Sequence, residues 1–483
     1  MVLAAVASCS DKEVFTEDAS ARLEFSDDTV HFDTIFTSIG SATKRFKIYN
    51  KGKQGVRIPS IRLGSGGSSG FRVNLDGRSD TQFSNVEIYH GDSIFCFVEV
   101  TVNPHDSDSP ILLADSLVFT LPNGKTQQVI LQAYGQDIII LKDRHIDSDT
   151  TLDAKRPYVI YDSLTVDSGS TLTLKAGTTL CFHSGASLNI HGKVIAEADS
   201  FTQTDNEIAI RLSEANAEAE KTIAEGEAGN PVTMRCDRTE KLFPYLPYDR
   251  TDAQWGGITI YPESEGSRFV QCDIHGGSYG IRNIGSSSGK EILYMLNTIL
   301  HNVAGDALSL TDAKATIHGC QISNAQGNCA TITGGDVEFC HCTLAQFYPW
   351  TATYGNALYF TNYIEKEEHP LHNLSFVNSV ITGYADDELF GSPMPDSDAP
   401  LNYHFIGCLI NTVLTDEDME GFEECQLDTI GSKSRNNTKD VNTRQPKPRE
   451  GNFRLLDDDN FIYDFRLDTL SAARQLGVGS LIP

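Results

Sequence analysis

The sequence predicts an all-β protein in two parts: a sandwich of short strands, then a coil of short parallel strands stacked turn upon turn. Three observations carry this. Residues 20–140 alternate apolar and polar side chains between turn signals. From Ser163 to Ile190 the pattern repeats every eight residues. Leu164, Leu172, Leu180 and Leu188 mark one column, Val166, Leu174, Phe182 and Ile190 a second, and Gly169, Gly177 and Gly185 a third. Further on, VQCDI, LNTIL, HGCQI, CHCTL, VNSVI and IGCLI align on one position, at steps of 25, 23, 22, 37 and 29 residues.

The chain begins MVLAAVASCS. Val6-Ala7-Ser8-Cys9 resembles the lipobox of bacterial lipoproteins. That resemblance implies an acylated Cys9, a lipid anchor in a membrane and a place in the outer membrane or at the cell surface. The basic stretch of a secretory signal is missing, so the signal reads as truncated. Residues 1–19 are expected to be signal remnant and polar tether. No run of 18 apolar residues follows, so no spanning helix is expected.

Residues 20–140 hold about seven short strands, with Asn50-Lys51-Gly52 and Gly64 to Gly67 as breaks and Pro122-Asn123-Gly124 as a hairpin turn. Ile94, Cys96 and Val98 fall on one face. Seven strands in this length predict an immunoglobulin-like sandwich. KRFKIYNKGKQGVRI, DSIFCFVEV and the closing Ala133-Tyr134-Gly135 resemble ASPM/SPD-2/Hydin-type domains, which implies a spacer or a binding platform.

Residues 150–483 carry the repeat. Leu164 and Val166 are two apart and share a strand face. Three octets make one turn of about 24 residues, so like side chains stack inside a right-handed parallel β-helix. The aligned column reads Cys272, Asn297, Cys320, Cys342, Ser379 and Cys408, with Ile274, Ile299, Ile322, Leu344, Ile381 and Ile410 two residues on. Gly280, Ala307, Cys329 and Ala357 form another. Small thiols suit such interior columns. Cys340 and Cys342 are expected on one strand with no second pair facing them, so no metal site and no cofactor are expected. Helical spacing from Ile208 to Ile223 predicts a helical insertion near 201–228, and polar residues 431–451 an exposed loop.

IAEGEAGNPVTMRCD (Ile223 to Asp237) and LPYDRTDAQWGGITI (Leu246 to Ile260) resemble coils of bacterial pectin-lyase-like β-helix proteins, and YDFRLDTLSAARQLG (Tyr463 to Gly477) resembles their closing segment. Trp255 is expected to pack inside, with Gly256 and Gly257 making the bend.

The charge of −28 excludes nucleic acid as a partner, since phosphate binding needs a basic footprint. The pectin-lyase resemblance brings polysaccharide lyase and glycoside hydrolase into view. A hydrolase needs clustered carboxylates, and a lyase a base beside charges that neutralise the uronate. Asp273 and Asp306 lie about a coil apart, but Asp306 has Tyr279, Asn328 and Asn356 as its expected neighbours. Asp386-Asp387-Glu388 reads as a solvated loop. No catalytic residue is therefore assigned. The reading is a non-enzymatic envelope lipoprotein that binds a glycan or an envelope protein, with the β-helix lyase or hydrolase as the alternative. Trp350 and Tyr354, in an aromatic insertion, and Asp306 are the candidate ligand-binding residues.

Overall fold

The structure, a computed structural model, describes residues 14–16, 22–197, 230–243, 245–286, 289–414, 420–427, 452–457, 462–468 and 471–480. Cys9, the expected helical insertion and the loop 431–451 lie outside the described residues. The chain divides into two compact units, Met1–Ile138 and Ile139–Pro483. Both are built from strands; the described helical pieces are the single turns Tyr248–Arg250 and Ala472–Gln475.

The first unit has two sheets. One joins Phe15–Thr16, Gly55–Leu63, Ile111–Thr120, Thr126–Gln136 and Thr29–Phe36, with Gln82–Ile88 on the edge of Gly55–Leu63. The other joins Glu24–Phe25, Lys44–Tyr49, Ser93–Val100, Phe71–Leu75 and Arg78–Ser79. Alternating side chains from both sheets fill one core, including Phe46, Ile58, Phe71, Cys96, Val98 and Phe119. Gly124, with φ +77°, turns the hairpin between Ile111–Thr120 and Thr126–Gln136, because that backbone region is open to glycine.

The second unit is a parallel coil. Leu164 pairs in register with Leu188, 24 residues on, and Leu172 with Val194, 22 residues on. Three rows of strands run along it. One is a separate sheet of 10 strands; the other two merge into one sheet of 18. Like side chains stack in columns along the interior. Phe269, Met295, Ile317, Phe339, Phe376, Phe405 and Phe422 form one. The rings of Phe339 and Phe376 lie 4.2 Å apart and near parallel, and those of Phe405 and Phe422 4.8 Å. Burying each such phenylalanine contributes about 2 kcal/mol. Trp255 is 1% exposed, stacks on Phe182 at 4.3 Å and donates its Nε1 hydrogen to the His275 carbonyl at 2.8 Å.

The corner after the phenylalanine column sets the register. Gln271, Asn297, Gly319, His341, Asn378, Gly407 and Glu424 all have φ between +46° and +63°. Asn and Gly tolerate this conformation, and the stack of backbone bonds from one coil to the next holds the others there. Each corner residue is followed by an inward-facing small one. The cysteine column is therefore Cys272, Thr298, Cys320, Cys342, Ser379, Cys408 and Cys425. Thr298 Oγ1 accepts from the Cys272 amide at 3.2 Å, and Ser379 Oγ from the Cys342 amide at 3.1 Å.

Three expectations change here. Asn297 is a corner residue, and Thr298 takes its place in the column. Its partner is Leu300, which pairs with Ile274 and Ile322, while Ile299 faces outward. Cys340 and Cys342 are not on one strand. Cys340 ends the strand Gly335–Cys340 and packs outside with Val270, Tyr294 and Leu296; the left-handed corner at His341 turns Cys342 inward. Glu388 is not in solvated loop either. It is fully buried beneath Ala357 in the column Gly280, Ala307, Cys329, Ala357, where its carboxylate accepts from the amides of Ala357 at 2.9 Å and Ala385 at 2.8 Å. Asp386 stays exposed.

Candidate functional site

The strand Cys272–His275 alternates: Cys272 and Ile274 face the interior, Asp273 and His275 the outer side. The next coil supplies Ile299–Val303, paired so that His301 lies directly beside His275. The two imidazole centroids are 4.8 Å apart. Asp273 Oδ1 accepts from His275 Nδ1 at 2.8 Å and from His301 Nε2 at 3.2 Å. An ionised carboxylate has only acceptors, so both imidazoles present N–H to it. Burial alone pushes the Asp273 carboxyl upward, but the two imidazoles outweigh it and hold it well below the usual carboxylate range.

A cleft of about 460 Å³ opens over this group. One wall is the segment at Asp249 and Arg250, tied down where Asn302 Nδ2 donates to the Arg250 carbonyl at 2.8 Å. Asp249 is paired with Arg235 at 3.3 Å. The floor continues into Gln321, Ser323 and Asn324 of the following coil. The other wall is the antiparallel pair Phe453–Asp457 and Ile462–Leu467, which contributes Tyr463, Asp464, Phe465 and Arg466. Phe465 anchors that pair: it is buried against Phe453 at 5.2 Å and Phe347 at 5.7 Å on the outer side of the coil. Arg466 grips Asp464 through Nε at 2.8 Å and Nη2 at 2.7 Å, and this pairing, with burial opposing it, keeps the Asp464 carboxyl low.

The three ligand-binding candidates lie elsewhere. Asp306 is spent on the coil below it. Its Oδ1 accepts from the Asn328 amide at 2.8 Å and its Oδ2 from Thr331 Oγ1 at 2.7 Å. Asn328 Oδ1 in turn accepts from the Asn356 amide at 2.8 Å. Trp350 and Tyr354 are half-buried, with the Tyr354 ring 6.5 Å from that of Tyr384, and neither lines the cleft. Phe347 and Tyr348 of the same insertion are buried, and the Tyr348 hydroxyl bonds Asp252. Exposed rings occur instead at Phe243 and Tyr245, stacked at 5.7 Å.

His275, His301 and Arg466 were not singled out from the sequence. The signal is present: CDIH and TILH each end in histidine one residue past the interior isoleucine or leucine. Placing Ile299 rather than Leu300 opposite Ile274 hides it, because a one-residue slip moves every side chain to the other face. Asp273, His275 and His301 also form a group able to hold a metal ion, their ligand atoms all lying within 4.8 Å of one another.

No protein-family model and no curated protein matches this chain. Solved structures give loose likenesses. The Vibrio cholerae VesB protease is 13% identical, with 23% of this chain and 31% of that one covered, at a TM-score of 0.17. The periplasmic alginate epimerase AlgG is 9% identical over 61% of this chain and 76% of its own, at 0.25. Dex49A from Penicillium minioluteum is 11% identical over 83% of each chain, at 0.16. This chain thus spans about a third of the length of the VesB protease. At such TM-scores the likenesses imply nothing about what this chain does.

Proposed function

We propose that the second unit is a polysaccharide lyase of the β-helix type, acting on an anionic glycan in the cleft over Asp273, His275 and His301. The observation that carries it is one carboxylate holding two imidazoles in a cleft that arginines also line. Eliminative cleavage needs positive charge for the uronate carboxylate and a base for the proton on the adjacent carbon. Arg250 supplies the charge, with Arg466, already paired with Asp464, beside it. His301, with Nε2–H directed at Asp273, keeps its lone pair on Nδ1 and is the base. Proton loss to His301 then forms the carbon–carbon double bond as the bond to the leaving sugar oxygen breaks, and that oxygen takes a proton from water.

Hydrolysis fits less well, because a glycosidase acid must stay protonated while Asp273 and Asp464 are both held low. Binding without chemistry is the second reading. It is favoured by the grip of Asp464 on Arg466, which leaves that guanidinium less free to meet a substrate carboxylate. We read the first unit as an immunoglobulin-like sandwich of the Hydin type, a spacer or a platform for an envelope protein. Cys9 is read as the lipid attachment site, holding the chain at the outer membrane or cell surface.

The test is incubation with a panel of uronate-containing polysaccharides, following the ultraviolet absorbance of the unsaturated product. The lyase reading expects absorbance to grow with wild type and to stop with His301→Ala. Retention on the same glycans without product would support the binding reading; neither retention nor product would overturn both. The anchor is checked separately: Cys9→Ala should end metabolic labelling with palmitate, and persistent labelling would refute it.

A further inference from the structure

We infer that Asp273, His275 and His301 form a binding site for a divalent transition metal ion, with Zn²⁺ as the best-suited probe. The inference goes beyond the lyase reading and does not depend on it. Two imidazoles and one carboxylate are a donor set that suits zinc, whereas calcium and magnesium select all-oxygen cages. The spacing suits a shared ion. Ligand atoms about 2.1 Å from one tetrahedral or octahedral centre lie roughly 3.0–3.4 Å from each other. Asp273 Oδ1 stands 2.8 Å from His275 Nδ1 and 3.2 Å from His301 Nε2, and the three ligand atoms fall within 4.8 Å. The two imidazole nitrogens, as much as 4.8 Å apart, must close by roughly 1.5 Å to share the ion.

The scaffold favours it. All three ligands sit on strands of adjacent coils rather than on loops, so their separation is fixed by the ladder. His275 is held from behind, since its carbonyl accepts from the buried Trp255 indole at 2.8 Å. The nearby cation Arg235 is paired with Asp249, and Arg466 with Asp464, so their charges are locally offset. Three protein ligands leave coordination positions facing the cleft for water or for a ligand oxygen.

The ion also makes a demand opposite to that of elimination. With Nε2 of His301 on the metal, a neutral imidazole carries its hydrogen on Nδ1 and has no lone pair left to accept a proton. Zn²⁺ should therefore suppress any activity in which His301 is the base, which makes the site a metal-sensitive brake.

Titrating chelator-treated, full-length protein with Zn²⁺ alone, in a calorimeter, tests this without any glycan. The expected result is one ion per chain, with affinity lowered 100-fold or more in His301→Ala and in Asp273→Asn. His301→Gln, which keeps the side chain polar and of similar bulk, guards against loss of fold, with circular dichroism as the check. No saturable binding by wild type, or equal binding by wild type and all three variants, would overturn the inference. Zinc binding by a protein that cleaves no glycan even when chelator-treated would leave it standing and remove the lyase reading; cleavage unaffected by Zn²⁺ in a protein that binds none would do the reverse.

Discussion

Two polar ladders decorate the same coil, and they behave differently. Asp306, Asn328 and Asn356 sit at a turn, and each side chain bonds the backbone of the next coil, with Thr331 Oγ1 also donating to Asp306 and accepting from Asn328. Asp273, His275 and His301 sit on two paired strands at an outer face, where their side chains meet each other and border a cleft. Stacking at the coil spacing builds both. What separates them is whether the polar atoms find partners on the adjacent main chain. A side chain that bonds the backbone holds the solenoid together; one that finds only other side chains is left for chemistry.

The largest effect is on turnover: His301→Ala should lower elimination on a cleaved glycan by about 100-fold to 10,000-fold, while Asp306→Ala leaves the rate per folded molecule unchanged. Stopped product formation in both would merge the ladders. Next comes stability. Asp306→Ala removes two hydrogen bonds to a carboxylate and should cost about 3 kcal/mol in denaturant unfolding of the second unit. An effect below about 0.5 kcal/mol would mean that the turn ladder is ornamental.

Smaller is the effect of acid. The Asp273 carboxyl is held well below its ordinary value, so its stabilising share is complete above the ordinary carboxylate range near pH 4 and is lost only as pH falls through the lower, folded value. Its carboxyl carbon resonance should therefore not titrate around pH 4; an ordinary midpoint would show that the imidazoles do not hold it. The interior offers a parallel contrast. Cys272 and Cys340 are buried thiols pushed upward, Cys340 to about 12, whereas Cys425, half-buried and hydrogen-bonded to Cys408, is lowered to about 7. Brief alkylation of the folded protein near neutral pH should label Cys425 first among the described cysteines, and uniform labelling would contradict the column.

Much of the architecture is legible in residues alone. The octets give the coil, because apolar-x-apolar pairs with a glycine three residues later can hide their side chains only by stacking. The thiol column is legible because small residues recur at coil spacing. The corner is less so. Phe339-x-x-Cys342, Phe376-x-x-Ser379 and Phe405-x-x-Cys408 share a left-handed residue just before the small one, but His341, Asn378 and Gly407 have little in common as letters. Missing that corner displaced Asn297 and Ile299 by one residue and hid the pairing of His275 with His301. The second wall of the cleft was beyond reach for a different reason. Phe465 packs on Phe347, more than a hundred residues away, and nothing local announces that.

The register that brings the two histidines together can be measured directly. His275→Cys with His301→Cys places two thiols at directly paired positions on one outer face, within the Cα spacing of about 4.4–6.8 Å that a disulfide requires. Mild oxidation and peptide mapping should find that crosslink and should find none between His275→Cys and Leu300→Cys, whose side chain points inward. Crosslinking to position 300 but not 301 would mean that the strands are slipped by one residue and that the site does not exist.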